Sequence, residues 1–159
     1  MQGKYHESIK KIQTQLFING KFVDSASGKT FPTVNPATEE VIANVQEAGE
    51  ADVNLAIAAA REAFDNGPWR RMTPRDRGIL MFKLVSLLER DVEEITRLEA
   101  LDSGKPVSFA GAADVPIMIN CFRYYAGWAD KLHGLSVPMN GPFVMNTRKE
   151  PVGVCAQII

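Results

Sequence analysis

The spacing of apolar residues changes several times along the chain. Two apolar runs, Leu16-Phe17-Ile18 and Phe22-Val23, flank Asn19-Gly20. Both central positions of a tight hairpin turn want positive φ, which Asn-Gly supplies; a hairpin is expected over residues 15–23. Ser25 to Lys29 reads as a polar loop punctuated by Ser27-Gly28. Phe31 to Pro36 is extended and closes in an Asn35-Pro36 turn, and Val41, Ala43 and Val45 then alternate with polar residues. That period of two predicts a second short hairpin.

From Glu50 the period becomes helical. Val53, Ala56, Ile57, Ala60 and Phe64 form one stripe, which Asn66-Gly67-Pro68 ends, with Gly67 able to take a left-handed cap. Thr73, Pro74 and Asp76 supply the N-cap, the first helical position and the acid three residues after the cap. Met81, Leu84, Val85 and Leu88 line the helix that follows. Asp91 and Glu94 repeat the start signal ahead of Val92, Ile95 and Leu98, which predicts a break near residue 90. Gly104 and Pro106 stop that stretch. The longest helix is expected from Phe109 or Asp114 to His133-Gly134, with Pro116 in an early turn. Its apolar face is Ile117, Cys121, Tyr124, Tyr125, Trp128 and Leu132, either core or the wall of a small-molecule pocket. Leu135–Val137 and Phe143–Asn146 form a third hairpin around Asn140-Gly141. Last, Pro151 precedes Val152, Val154, Ile158 and Ile159 with small or amide residues between them. A short apolar run of this kind reads as a strand buried on both faces. Such a strand needs neighbours, so the chain is expected to be the front part of a longer protein, cut at the first strand of an α/β sheet.

Composition narrows the class. At 159 residues there is room for one domain, or for one and a piece of another. Basic and acidic residues number 18 and 19, a net charge of −1, which removes the electrostatic case for nucleic acid or an acidic membrane. No apolar run reaches the length of a membrane-spanning helix. Residues 1–8 lack the apolar core of a secretory signal, so a cytoplasmic location is expected. Cys121 and Cys155 stand far apart with no metal-ligand spacing. They read as buried thiols, with a disulfide or a nucleophile as the alternatives. Trp69-Arg70-Arg71 is read as a solvated loop or an anion site. There is no Gly-rich phosphate loop and no repeat. On the residues alone the fold class is α/β: hairpins, a helical layer, another hairpin, then the start of a sheet.

Six runs carry a resemblance. They are Phe17-Ile18-Asn19-Gly20, Thr33-Val34-Asn35-Pro36-Ala37-Thr38, Ala59-Ala60-Arg61-Glu62-Ala63-Phe64, Leu101-Asp102-Ser103-Gly104-Lys105-Pro106, Phe122-Arg123-Tyr124-Tyr125-Ala126-Gly127-Trp128-Ala129-Asp130-Lys131 and Glu150-Pro151-Val152-Gly153-Val154. In this order they resemble the N-terminal third of the NAD(P)-dependent aldehyde dehydrogenase superfamily, in its tetrameric, broad-specificity branch. Residues 1–13, polar and charged, are expected as a loosely held arm; the resemblance implies the N-terminal part of a cofactor-binding domain over 14–134, an oligomerisation hairpin over 135–150, and over 151–159 the first strand of a Rossmann-like dinucleotide-binding sheet.

It also implies roles. Ile158 and Ile159 match the strand end that packs against NAD or NADP, with NAD favoured; ligands of open α/β sheets sit at the carboxyl ends of strands. Thr33, Val34 and Asp102 match positions that hold a structural monovalent cation, with a plain loop contact as the alternative for Asp102. Ala113 and Ile117 match the wall of the substrate tunnel, which their size leaves fairly open. No catalytic residue is assigned, because the family's cysteine nucleophile, glutamate base, oxyanion asparagine and ribose-binding lysine match nothing in this chain; Cys155 matches a strand position under the cofactor. The implied reaction is the whole enzyme's: a thiolate attacks the aldehyde, the thiohemiacetal passes hydride to NAD(P)+, and water releases the acid. The implied partners are a small-molecule aldehyde and further copies of the chain, as a tetramer or dimer. The competing readings are an inactive fragment or crystallin-like relative that only binds or assembles, and a stand-alone helical interaction module.

Overall fold

The computed structural model describes residue 9 and residues 12–159. Most of the arm expected over 1–13 lies outside the described residues. Three separate two-stranded antiparallel ribbons accompany a set of helices, two before them in the chain and one after. The first pairs β1 (Leu16–Ile18) with β2 (Lys21–Val23). Asn19 and Gly20 take φ of 50° and 75° between them, the paired positive values that such a turn requires. The second ribbon pairs β3 (Thr30–Val34) with β4 (Val41–Gln46), with a register shift between Thr33 and Val34. The buried Asn35 then closes the connection. Its side chain accepts a hydrogen bond from the Ala37 N–H at 2.9 Å and its carbonyl one from Glu39 at 2.8 Å. This is the Asx turn expected of an Asn-Pro pair.

Helix α1 (Glu50–Asn66) ends as expected, but Gly67 is extended (φ −67°, ψ 162°), not left-handed. Pro68 follows it, and a proline drives the preceding residue to extended backbone. Trp69-Arg70-Arg71 is not loop but one helical turn, α2 (Pro68–Arg71). In α3 (Pro74–Arg90) the Thr73 hydroxyl accepts from the Asp76 N–H at 3.2 Å, the cap that the residues predict. The break falls at Asp91, and α4 (Val92–Ser103) ends on Gly104 in the left-handed conformation, φ 71°. A short α5 (Val107–Phe109) leads into a wide π turn, Ala110–Asp114, in which the Val115 N–H reaches back to the Ala110 carbonyl. Then comes α6 (Val115–Ala126).

Helix α6 stops eight residues short of the expected His133-Gly134. The Gly127 N–H lies within reach of the Arg123, Tyr124 and Tyr125 carbonyls, and turns follow. Three acceptors competing for one donor is how a helix tightens and terminates. The buried face also differs from the expected one. The core joins Val85 of α3 to Val115 and Ile119 of α6, with Leu88, Val92, Ile95 and Met118 packed against it. Ile117, Cys121, Tyr124, Tyr125, Trp128 and Leu132 are exposed. The helix is apolar almost all round, so periodicity alone cannot say which side meets α3. Gly78 settles the choice: a β-carbon there would stand 3.0 Å from the Ala126 carbonyl oxygen, so α3 and α6 are in backbone contact on that side.

The third ribbon pairs β5 (Ser136–Val137) with β6 (Met145–Asn146). Residues 151–159, expected as a strand, are not one: they carry no regular structure and are paired with no other segment. A strand exists only through a ladder. Both cysteines, expected buried, are exposed, Cys121 on the open side of α6 and Cys155 in this unpaired segment. No helix is long and apolar enough to cross a membrane among the described residues.

Candidate functional site

The sequence-predicted site residues fall at three positions along this scaffold. The first is a cleft of about 490 Å³ between the β3–β4 ribbon and α4. Phe31, Ile42 and Val45 form one wall and Ile95 and Leu98 the other, and Thr33 and Asp102 both line it. These two residues are 69 positions apart in sequence, so their sharing one cleft is a tertiary result. Its cause is the left-handed Gly104, which seats the end of α4 on the Asn35-Pro36 turn. Val34 is half-exposed and not part of the lining; it lies just past the register shift. The residue that this shift leaves outside the ladder is Ile42 of β4, since Thr33 pairs with Ala43 and Val34 with Val41. A hard monovalent cation takes oxygen ligands. In this cleft Asp102 offers one carboxylate of that kind, with Thr33 in the same lining. No cluster of three or more His, Cys, Asp or Glu suited to a transition metal exists among the described residues.

The second position is the stretch holding Ala113 and Ile117. Ala113 lies in the π turn and is half-buried. Ile117, one turn further on α6, is 66% exposed and faces away from the core. The two are thus on adjacent turns, at the junction where a wide turn becomes a regular helix. Three contacts hold that junction. Ala110 is completely buried. A β-carbon on Gly111 would stand 3.2 Å from the Thr96 methyl, so the turn rests directly on α4. Lys105 Nζ donates to Glu99 Oε1 at 3.0 Å and to Asp114 Oδ2 at 2.6 Å. The Asp114 carboxylate, and then that of Glu99, hold the Lys105 ammonium above the ordinary lysine range. Sequence reading takes Asp102-Ser103-Gly104-Lys105-Pro106 only as a helix-end loop and misses this cluster. The one available signal was a lysine flanked by acids at six residues before and nine after, which no helical period links.

The third position is Ile158-Ile159. Both side chains are fully exposed and contact nothing that would shape a cofactor pocket. The segment passes near α1, where a β-carbon on Gly153 would lie 3.7 Å from an Arg61 guanidinium nitrogen. The structure therefore brings Thr33 to Asp102 and Ala113 to Ile117, but does not bring Ile158 or Ile159 to either pair.

A further polar anchor, also missed in the sequence, locks the scaffold. Asp52 in the first turn of α1 is 4% exposed. Its carboxylate accepts from the Ala26 N–H and from the Gly49 N–H, each at 2.9 Å. The Gly49 bond and then the Ala26 bond hold its carboxyl below the usual range. Loop 24–29 is further tied to β4 by the Ser25 N–H, which donates to Gln46 Oε1 at 2.9 Å.

Known proteins share both sequence and geometry with this chain. The sequence pattern of the Aldehyde dehydrogenase family matches residues 22–159. An Arabidopsis thaliana protein, aldehyde dehydrogenase family 2 member B4, mitochondrial, is 50% identical over 152 residues, which cover 96% of this chain and 28% of that one. The human mitochondrial aldehyde dehydrogenase is 52% identical over 146 residues, covering 91% and 28% respectively. The NAD+ complex of a Bacillus cereus aldehyde dehydrogenase superposes with a TM-score of 0.85 at 44% identity, covering 96% of this chain and 31% of that one. The chain thus spans about three tenths of the length of the relatives it matches.

Proposed function

Since this chain belongs to the aldehyde dehydrogenase family, we propose that the whole protein oxidises an aldehyde to a carboxylic acid, with NAD+ as hydride acceptor. The observation that carries this reading is the likeness over nearly the whole chain to a protein solved with NAD+ bound. The dinucleotide would supply the electron sink for the aldehyde hydrogen. Ile158 and Ile159 would contribute backbone beside it once residues 151–159 join a sheet. Ala113 and Ile117 would line the passage by which the aldehyde enters. The open side of α6, with Tyr124 and Tyr125, and Trp128 in the turn after it suit the back of such a passage, because exposed apolar surface of this kind is seldom left bare. Thr33, Val34 and Asp102 would hold a structural monovalent cation. The β5–β6 ribbon would pair with a neighbouring subunit in a tetramer or dimer; Phe143 and Val144, in the connection just before β6, are 68% and 85% exposed, and uncovered edges invite strand addition.

The test combines intact mass with NADH production. A polypeptide about three times the 17.5 kDa of this chain, reducing NAD+ only when aldehyde is added, is the expected result. A full-length protein that binds aldehyde or NAD+ without forming NADH would overturn the enzymatic reading in favour of assembly alone. A polypeptide of 17.5 kDa is expected to show no turnover.

A further inference from the structure

The π turn poses a structural problem that Lys105 solves. A wide turn carries one more residue than an α turn and makes poorer hydrogen bonds, so it persists only where its surroundings hold it. Two of its supports, buried Ala110 and the Gly111–Thr96 contact, lie at its first half. At its last residue, Asp114, the support is the ion pair to Lys105 at 2.6 Å, itself braced on Glu99 of α4. Asp114 adjoins Ala113 and precedes Ile117 by three positions. The helix beyond is anchored independently, through Val115 and Ile119 in the core. The fold therefore does not need Lys105 to keep α6 in place. What Lys105 adds is the fixed path of the backbone between Asp114 and α4. Without its ammonium, Glu99 and Asp114 would face each other as like charges and push that path outward.

We infer that Lys105 is a positioning residue for substrate: through Asp114 it sets the π turn, and hence how far Ala113 projects into the aldehyde passage beside Ile117. The inference rests on reading those two residues as passage wall. It predicts an effect that depends on substrate length. A two-carbon aldehyde reaches the reacting atoms without filling the passage, whereas a long one is aligned by its wall.

The test uses the full-length enzyme and straight-chain aldehydes from acetaldehyde to decanal, followed by NADH formation. In Lys105→Met, kcat/KM for decanal is expected to fall about tenfold or more, since small misplacement of a positioning wall is costly. The KM for NAD+ and the kcat for acetaldehyde stay within about twofold, as for loss of an interaction confined to one part of the substrate. Lys105→Arg, which can still bridge two carboxylates, restores the length profile. Asp114→Asn keeps the side-chain shape and carries the same test if Lys105→Met does not fold. A uniform loss across all aldehydes, or an unchanged profile in both variants, overturns the inference. Ile117→Trp separates it from the reading beneath it. If Ile117→Trp leaves the profile unchanged, the passage assignment itself fails and the inference with it. If Ile117→Trp excludes long aldehydes while Lys105→Met and Asp114→Asn do not, the positioning role alone fails.

Discussion

Gly104 and Pro36 are in such close contact that a β-carbon on Gly104 would stand 2.8 Å from Pro36 Cγ and 3.1 Å from the Ala37 nitrogen. Gly104 is also left-handed, so glycine is required there twice over. Gly104→Ala should cost about 2 kcal/mol or more, combining left-handed strain with overpacking against a ring. Pro36→Ala removes the clashing Cγ and should recover part of that loss in the double variant. Denaturant midpoints for the four proteins of the cycle measure this coupling. Strict additivity would show that the contact is not what constrains the site.

Asp52 makes stability depend on pH in a defined direction. Its carboxyl is held below the usual range by the Gly49 and Ala26 N–H groups. A depressed folded pKa stabilises the fold fully above the unfolded value of about 4 and loses that contribution as pH falls through the folded value. Asp52→Asn should flatten the acid limb of a midpoint-against-pH curve and lower the midpoint at neutral pH. Asp52→Ala should lower it further, because both N–H groups lose their acceptor. An acid limb unchanged in Asp52→Asn would refute the assignment.

Gly78 sets how closely α3 approaches α6. Its β-carbon would meet the Ala126 carbonyl oxygen at 3.0 Å and the Ala129 methyl at 3.4 Å, and a carbonyl cannot rotate aside as a side chain does. Gly78→Ala should therefore cost about 1 kcal/mol or more despite its better helix propensity. The same substitution on an open helix would stabilise. Thermal unfolding of Gly78→Ala decides by its sign.

Gly134 closes the third ribbon. A β-carbon there would fall 1.7 Å from the Thr147 carbonyl oxygen, while the Leu135 carbonyl accepts from the Thr147 N–H at 2.8 Å and the Thr147 hydroxyl from the Leu135 N–H at 2.8 Å. Gly134→Ala should open the ribbon's base. If β5–β6 pairs with a neighbouring subunit, light scattering should find the full-length variant dissociating at a higher protein concentration than the parent. An unchanged association constant would remove this ribbon from the interface.

What could be read in the sequence divides by range. Features fixed within a few residues were legible: the Asn19-Gly20 turn, the Thr73-Pro74-Asp76 helix start, the break at Asp91 and the stop at Gly104. Their chemistry is local, so their residue types are sufficient evidence. Features that depend on distant partners were not. The open side of α6, with Ile117, Tyr124 and Tyr125, looks in sequence as apolar as its buried side, and only Gly78 and Val85 on α3 distinguish them. The segment over 151–159 has a strand's composition without a strand's neighbours. Of the candidate site, Thr33 and Asp102 were singled out by resemblance and line one cleft. The Lys105–Glu99–Asp114 cluster lay beyond any periodic signal.

The wide turn at Ala110–Asp114 has a consequence for chain length. In a loop, gaining or losing a residue changes only the slack. Here one deleted residue would turn the π turn into an ordinary α turn and rotate everything after it by about 100°, one helical step. Val115 and Ile119 would leave Val85, and another side of α6 would be presented in their place. Relatives that differ in length are thus expected to place their gaps elsewhere, for instance in the 138–144 connection. An alignment that opened a gap between Gly111 and Asp114 would imply a different core.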